Sequence, residues 1–173
     1  MASIAGRAWL DNAPMTDVHF YFNVPDKLHF ACRLARKAFM QQTPLLLSAA
    51  PQQLQQLDAM LWQMAPADFV AHDWLDAPPG SGSAPAGPAA PGVQAPILLS
   101  ERIDPQALHG RVHALLSLWD EVPAGFSHFE HLYELVSPDA HDRQRARQRW
   151  RHYLQRGYAI LSHDLGQAAA GAA

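Results

Sequence analysis

The chain has 173 residues, 49% of them hydrophobic and 17% charged, which excludes a disordered polyelectrolyte and leaves enough apolar material for one core-forming domain. A single cysteine, Cys32, excludes an intramolecular disulfide or a multi-cysteine zinc site and fits a reducing compartment, with the cytoplasm as default. A formal net charge of −3 demands neither nucleic acid nor an anionic membrane, no apolar run is long enough to cross a bilayer, and residues 1–16 lack the apolar stretch of a signal peptide.

Residues 17–22, DVHFYF, alternate and are rich in aromatic and β-branched types, predicting a first strand. Asn23-Val24-Pro25-Asp26 turns the chain into a helix over about 26–41, with Leu28, Ala31, Cys32, Ala35, Ala38 and Phe39 on one face. There the lone thiol reads as a small core residue. Thr43-Pro44 stops the helix, and Leu45-Leu46-Leu47 predicts a strand buried on both faces. Pro51 opens a second helix whose apolar positions are Leu54, Leu57, Leu61 and Met64, and residues 69–72 predict a third strand. This β-α-β-α-β start implies a mostly parallel sheet with right-handed crossovers.

Residues 77–92 contain only Ala, Pro, Gly and Ser and are expected to form a flexible loop. Strands follow at 96–99, 112–118 and 131–136. The last helix carries Ser137 as its expected N-cap, Pro138 at its first position, Asp139 and Asp142 near its positive end, and Gly157 just beyond its end. Residues 158–161 suggest an edge strand. The expected organisation is an extension at 1–14, one α/β domain at 15–165 and a loose tail at 166–173.

The turn after the first strand, Asn23-Val24-Pro25-Asp26-Lys27, has no glycine for close backbone approach, so a nucleotide phosphate loop is not expected. His128, His131, Glu130 and Glu134 cluster in sequence, but Pro123 and Gly125 argue against the helix that an HExxH-type metal site needs, and neither metal nor cofactor is expected. No nucleophile elbow is present. The pattern offers no positive case for catalysis.

Six of the thirteen Lys and Arg residues fall in fourteen positions: Arg143, Arg145, Arg147, Arg149, Arg151 and Arg156. Arg143, Arg147 and Arg151, four apart, form one column, with Trp150 and Leu154 beside it. Guanidinium forks next to an aromatic wall suit a carboxylate attached to an apolar group. The same pattern is also that of a solvated face, or of a track for a phosphate backbone on which Trp150 stacks a base. A second candidate surface, LWQMAPADFV at 61–70, combines a Trp, a Met and a Phe, types that both cores and protein interfaces use.

Taken in order, VHFYFNVPDKLHFACRLARKAF, LDAMLWQMAPADFVAH, EVPAGFSHFEHLYELV and DRQRARQRWRHYLQRGY resemble the chi subunit family of the bacterial DNA polymerase III holoenzyme over nearly the whole chain from Met15. The resemblance implies a Rossmann-like three-layer fold without catalytic activity of its own. It also implies an adaptor in DNA replication that joins the clamp loader through the psi subunit and binds the acidic C-terminal tail of single-stranded-DNA-binding protein (SSB), which ends in Pro-Phe. On this resemblance Arg147, Arg143 and Arg151 take the tail's carboxylate and acidic residues, Trp150 stands where a tyrosine often lines the phenylalanine pocket, and Val136 forms an apolar wall. Trp62, Phe69 and Val70 align with positions that contact psi or an XPD/DinG-type helicase. Single-stranded DNA is then met mainly through SSB; the alternative is direct single-stranded-DNA binding by the arginine helix.

Overall fold

The computed structural model describes residues 16–63, 70, 72–75, 97–108 and 112–166. The expected 1–14 extension, the 77–92 loop and positions 167–173 lie outside them. Among the described residues seven strands form one sheet: β1 (Asp17–Phe22), β2 (Leu45–Ser48), β3 (His72–Trp74), β4 (Ile97–Ser100), β5 (Ala114–Ser117), β6 (His131–Leu135) and β7 (Ala159–Asp164). Their spatial order is β3-β4-β2-β5-β6-β1-β7, and every pairing is parallel. Four helices are present among the described residues: α1 (Lys27–Met40), α2 (Pro51–Gln63), the short α3 (Pro105–Leu108) and α4 (Ala140–Gln155), with a 3-10 turn at Phe126–His128.

Strand alternation divides the core into two layers. Leu45, Leu47, Ile97, Leu99 and Leu116 pack against α1 and α2 on one face; Val18, Phe20, Leu46, Leu115 and Leu132 pack against Ala146 and Tyr153 of α4 on the other. Cys32 is buried among the first group, where desolvation raises its thiol to about 11. The result is a three-layer α/β fold of the kind expected.

Several boundaries differ from the sequence reading. Of the third strand expected at 69–72, His72 is in β3, which runs on to Trp74 and pairs with β4 from Ile97, while Val70 is not in it and positions 69 and 71 lie outside the described residues. α4 is capped by Asp139, not Ser137: Asp139 Oδ1 accepts from the N–H groups of His141 and Asp142 at 3.0 and 3.1 Å. Ser137 instead donates its own N–H to Asp142 Oδ2 at 2.8 Å, and Pro138 precedes the helix. At the other end Gly157 takes φ +81°, with Gly157 N–H on Leu154 O and Tyr158 N–H on Tyr153 O, both at 3.1 Å. This paired closure turns the chain sharply into the edge strand β7.

Candidate functional site: the arginine face of the last helix

The inner stripe of α4 is Asp142, Ala146, Arg149 and Tyr153, all buried. Arg149 therefore leaves the expected surface set. Its Nε donates to Glu134 Oε2 at 3.0 Å and its guanidinium also donates to Asp120 O at 2.8 Å. Tyr153 donates to Glu134 Oε1 at 2.6 Å. Complete burial pushes the Glu134 carboxyl up to about 7 even against Arg149 and the Tyr153 hydrogen bond. Arg145 is likewise engaged, with Asp120 at 3.2 Å, although both side chains are about half exposed.

With two arginines committed, Arg143, Arg147 and Arg151 remain exposed along the outer column, and among the described residues none is paired with a carboxylate. They line a cavity of about 380 Å³ together with Trp150, Ala146 and Phe22. Trp150 is half-buried and leans on Phe20 and Phe22, its ring centroid 5.1 and 6.0 Å from theirs. The site is thus an apolar floor from β1 and α4 under three guanidinium groups. It can take an apolar ring below and carboxylates above.

Four of the five expected residues, Arg143, Arg147, Trp150 and Arg151, come together here; Val136 does not. It is fully buried, because the chain beyond β6 stays locked to β1: Val136 N–H donates to Tyr21 O at 2.8 Å and Val24 N–H to Val136 O at 3.0 Å. Phe22 and Ala146 are the wall residues that sequence reading missed. Ala146 is recoverable from its four-residue spacing to Trp150. Phe22 is not, since it reaches the cavity only through the seat of α4 on β1.

On the opposite face, Trp62 at the end of α2 is 46% exposed. Val70, expected beside it, is instead a core residue at 1% exposure, and Phe69 lies outside the described residues. His131 and Glu134, two members of the sequence cluster His128, Glu130, His131 and Glu134, point to opposite faces of β6. Glu134 meets α4, while His131 joins a row with His19 and His163, in which His19 Nδ1 and His163 Nε2 are 3.3 Å apart. That row spans three strands, so no local motif announces it.

A crevice of about 650 Å³ opens beyond the carboxyl ends of β2, β4 and β5, where open parallel sheets often take ligands. Trp119 Nε1 crosses it to donate to Ser48 Oγ at 3.0 Å, and its rim mixes Glu101, Asp120 and Glu121 with Arg102 and Arg145.

Residues 15–161 match the family model described as DNA polymerase III chi subunit, HolC. The chain belongs to the DNA polymerase III chi subunit family. It is 31% identical over 157 residues to the DNA polymerase III subunit chi of Pseudomonas aeruginosa, covering 87% of this chain and 98% of that relative. Membership makes a chi protein an accessory subunit of the replicative polymerase, associated with other components of that assembly. Among the described residues no helix is long and apolar enough to cross a membrane.

Proposed function

We propose that this chi subunit is a non-catalytic adaptor that links the clamp-loader complex to the C-terminal tail of SSB. The observation that carries the reading is the α4 cavity. A terminal phenylalanine fits its Phe22–Ala146–Trp150 floor, and the carboxylate of the same residue meets the Arg147 guanidinium. Acidic residues upstream on the tail gain from Arg143 and Arg151 as a screened, salt-weakened contribution. Trp62 supplies the contact to psi or to an XPD/DinG-type helicase on the other face, which leaves the tail site free. Holding both partners raises the local concentration of polymerase at SSB-coated template.

Fluorescence anisotropy with a labelled SSB tail peptide tests this. The expected result is micromolar binding that is lost when the final phenylalanine is removed and is strongly weakened by Arg147→Ala. No binding of the intact peptide, together with tight single-stranded-DNA binding whose salt slope reports several phosphate contacts, would replace the adaptor reading with direct DNA binding.

A further inference from the structure

We propose that Asp58 and His72 are positioning residues for the second docking surface: together they fix Trp62 in the orientation that a partner subunit meets. This rests on the reading of Trp62 as a docking residue given above. Asp58 lies one helical turn before Trp62 on α2, so the two share a face. The Trp62 ring meets that of His72 edge-on, with centroids 5.3 Å apart and planes at 65°.

His72 is itself clamped at both ends. Its side chain is 1% exposed, its Nδ1 faces Val70 O at 2.8 Å, and its Nε2 faces Asp58 Oδ1 at 2.9 Å. The same Asp58 oxygen accepts from the Trp74 indole at 3.2 Å. One carboxylate therefore ties α2 to the three-residue edge strand β3, directly beneath an exposed indole. A part-buried polar cluster of this kind contributes little net stability compared with apolar packing, whereas it does specify geometry. An indole held in one orientation loses less freedom on binding, and tryptophan is the side chain most often found anchoring an interface.

The test uses the full chain with Asp58→Ala, Asp58→Asn and Trp62→Ala, measured by calorimetry against the psi subunit and, as a control on the opposite face, against the SSB tail peptide. Acrylamide quenching of Trp62, taken as the difference from a Trp62→Phe background, reports its mobility. Asp58→Ala is expected to weaken psi binding roughly 3- to 10-fold and to raise Trp62 quenching, with tail binding unchanged. Asp58→Asn, which keeps an acceptor, should stay within about twofold of wild type. If Trp62→Ala abolishes psi binding while Asp58→Ala leaves affinity and quenching untouched, the positioning role is wrong and the docking surface stands. Equal loss of psi and tail binding in Asp58→Ala would mark a general structural role and also overturn it. Psi binding that ignores Trp62→Ala, or a wild-type chain that does not bind psi, removes the docking reading and this inference with it.

Discussion

Five of the six arginines of the C-terminal segment look alike in sequence and sit in three different settings: Arg143, Arg147 and Arg151 line the α4 cavity, Arg145 makes a half-exposed pair with Asp120, and Arg149 is buried against Glu134. Arg147 stands free at the mouth of the α4 cavity, so Arg147→Ala should weaken tail-peptide binding by about 1.5 to 3 kcal/mol, the worth of a charge-assisted contact, while the melting temperature stays put. Arg149 is the opposite case. Removing it strands a buried carboxylate and leaves Asp120 O without its donor, so Arg149→Ala should cost about 3 to 5 kcal/mol of stability in urea titrations at pH 8, where Glu134 is ionised. That cost should shrink as pH falls, and the shrinkage should begin above pH 7, because without the Arg149 charge that holds it down the buried Glu134 carboxyl rises further and takes up its proton sooner. The distinction was legible in principle, because Asp142, Ala146, Arg149 and Tyr153 repeat at steps of four, three and four. Even so, an arginine at an inward position reads as surface until a buried acid is known to face it.

At the level of elements, sequence reading succeeded where a local rule is sufficient. Alternation in DVHFYF placed β1, and Gly157 placed the end of α4. There the left-handed φ of +81° is open in space, so a Gly157→Ala change meets no neighbour within 4 Å and pays only the backbone term. It should destabilise by about 1 to 2 kcal/mol, measurable by thermal unfolding. Local rules failed where two candidates competed or where tertiary pairing decides. Both Ser137 and Asp139 can cap a helix, and Asp139 is the cap because helical geometry begins only at Ala140, which puts the Asp139 carboxylate within reach of the His141 and Asp142 N–H groups. Val70 and Val136 are indistinguishable from surface apolar residues until their elements are seated against β-strands or α2.

For the molecule as a whole, two titrating groups oppose each other below neutrality. The Glu134 carboxyl is raised by burial, so its contribution is fully present below about pH 4.5, where even the unfolded chain is protonated, and is lost as pH rises toward 7. His19 is lowered, first by burial and then by His131 and His163, so its contribution is present above pH 6.5 and is lost as pH falls. Stability against pH, followed by denaturant titration, should therefore change slope in Glu134→Gln and in His19→Gln in opposite senses between pH 5 and 7. A shared direction in the two variants would contradict the assignment. The mostly parallel sheet followed from the β-α-β-α-β order in the sequence and the three-layer arrangement from the family resemblance; the site's floor followed from neither, because Phe22 and Trp150 are brought together only by the crossing of α4 over β1.

The order of the sheet has a mechanical consequence. β3, beside Trp62, and β1, beneath Trp150, are five strand spacings apart, about 24 Å along the hydrogen-bonding direction. A pull applied between those two places runs across the strands and not along them. Each ladder then bears the load in turn, as the teeth of a zipper do, and none shares it in shear with its neighbours. Such a link should open at low force in an optical trap, with β3, the short edge strand, peeling first.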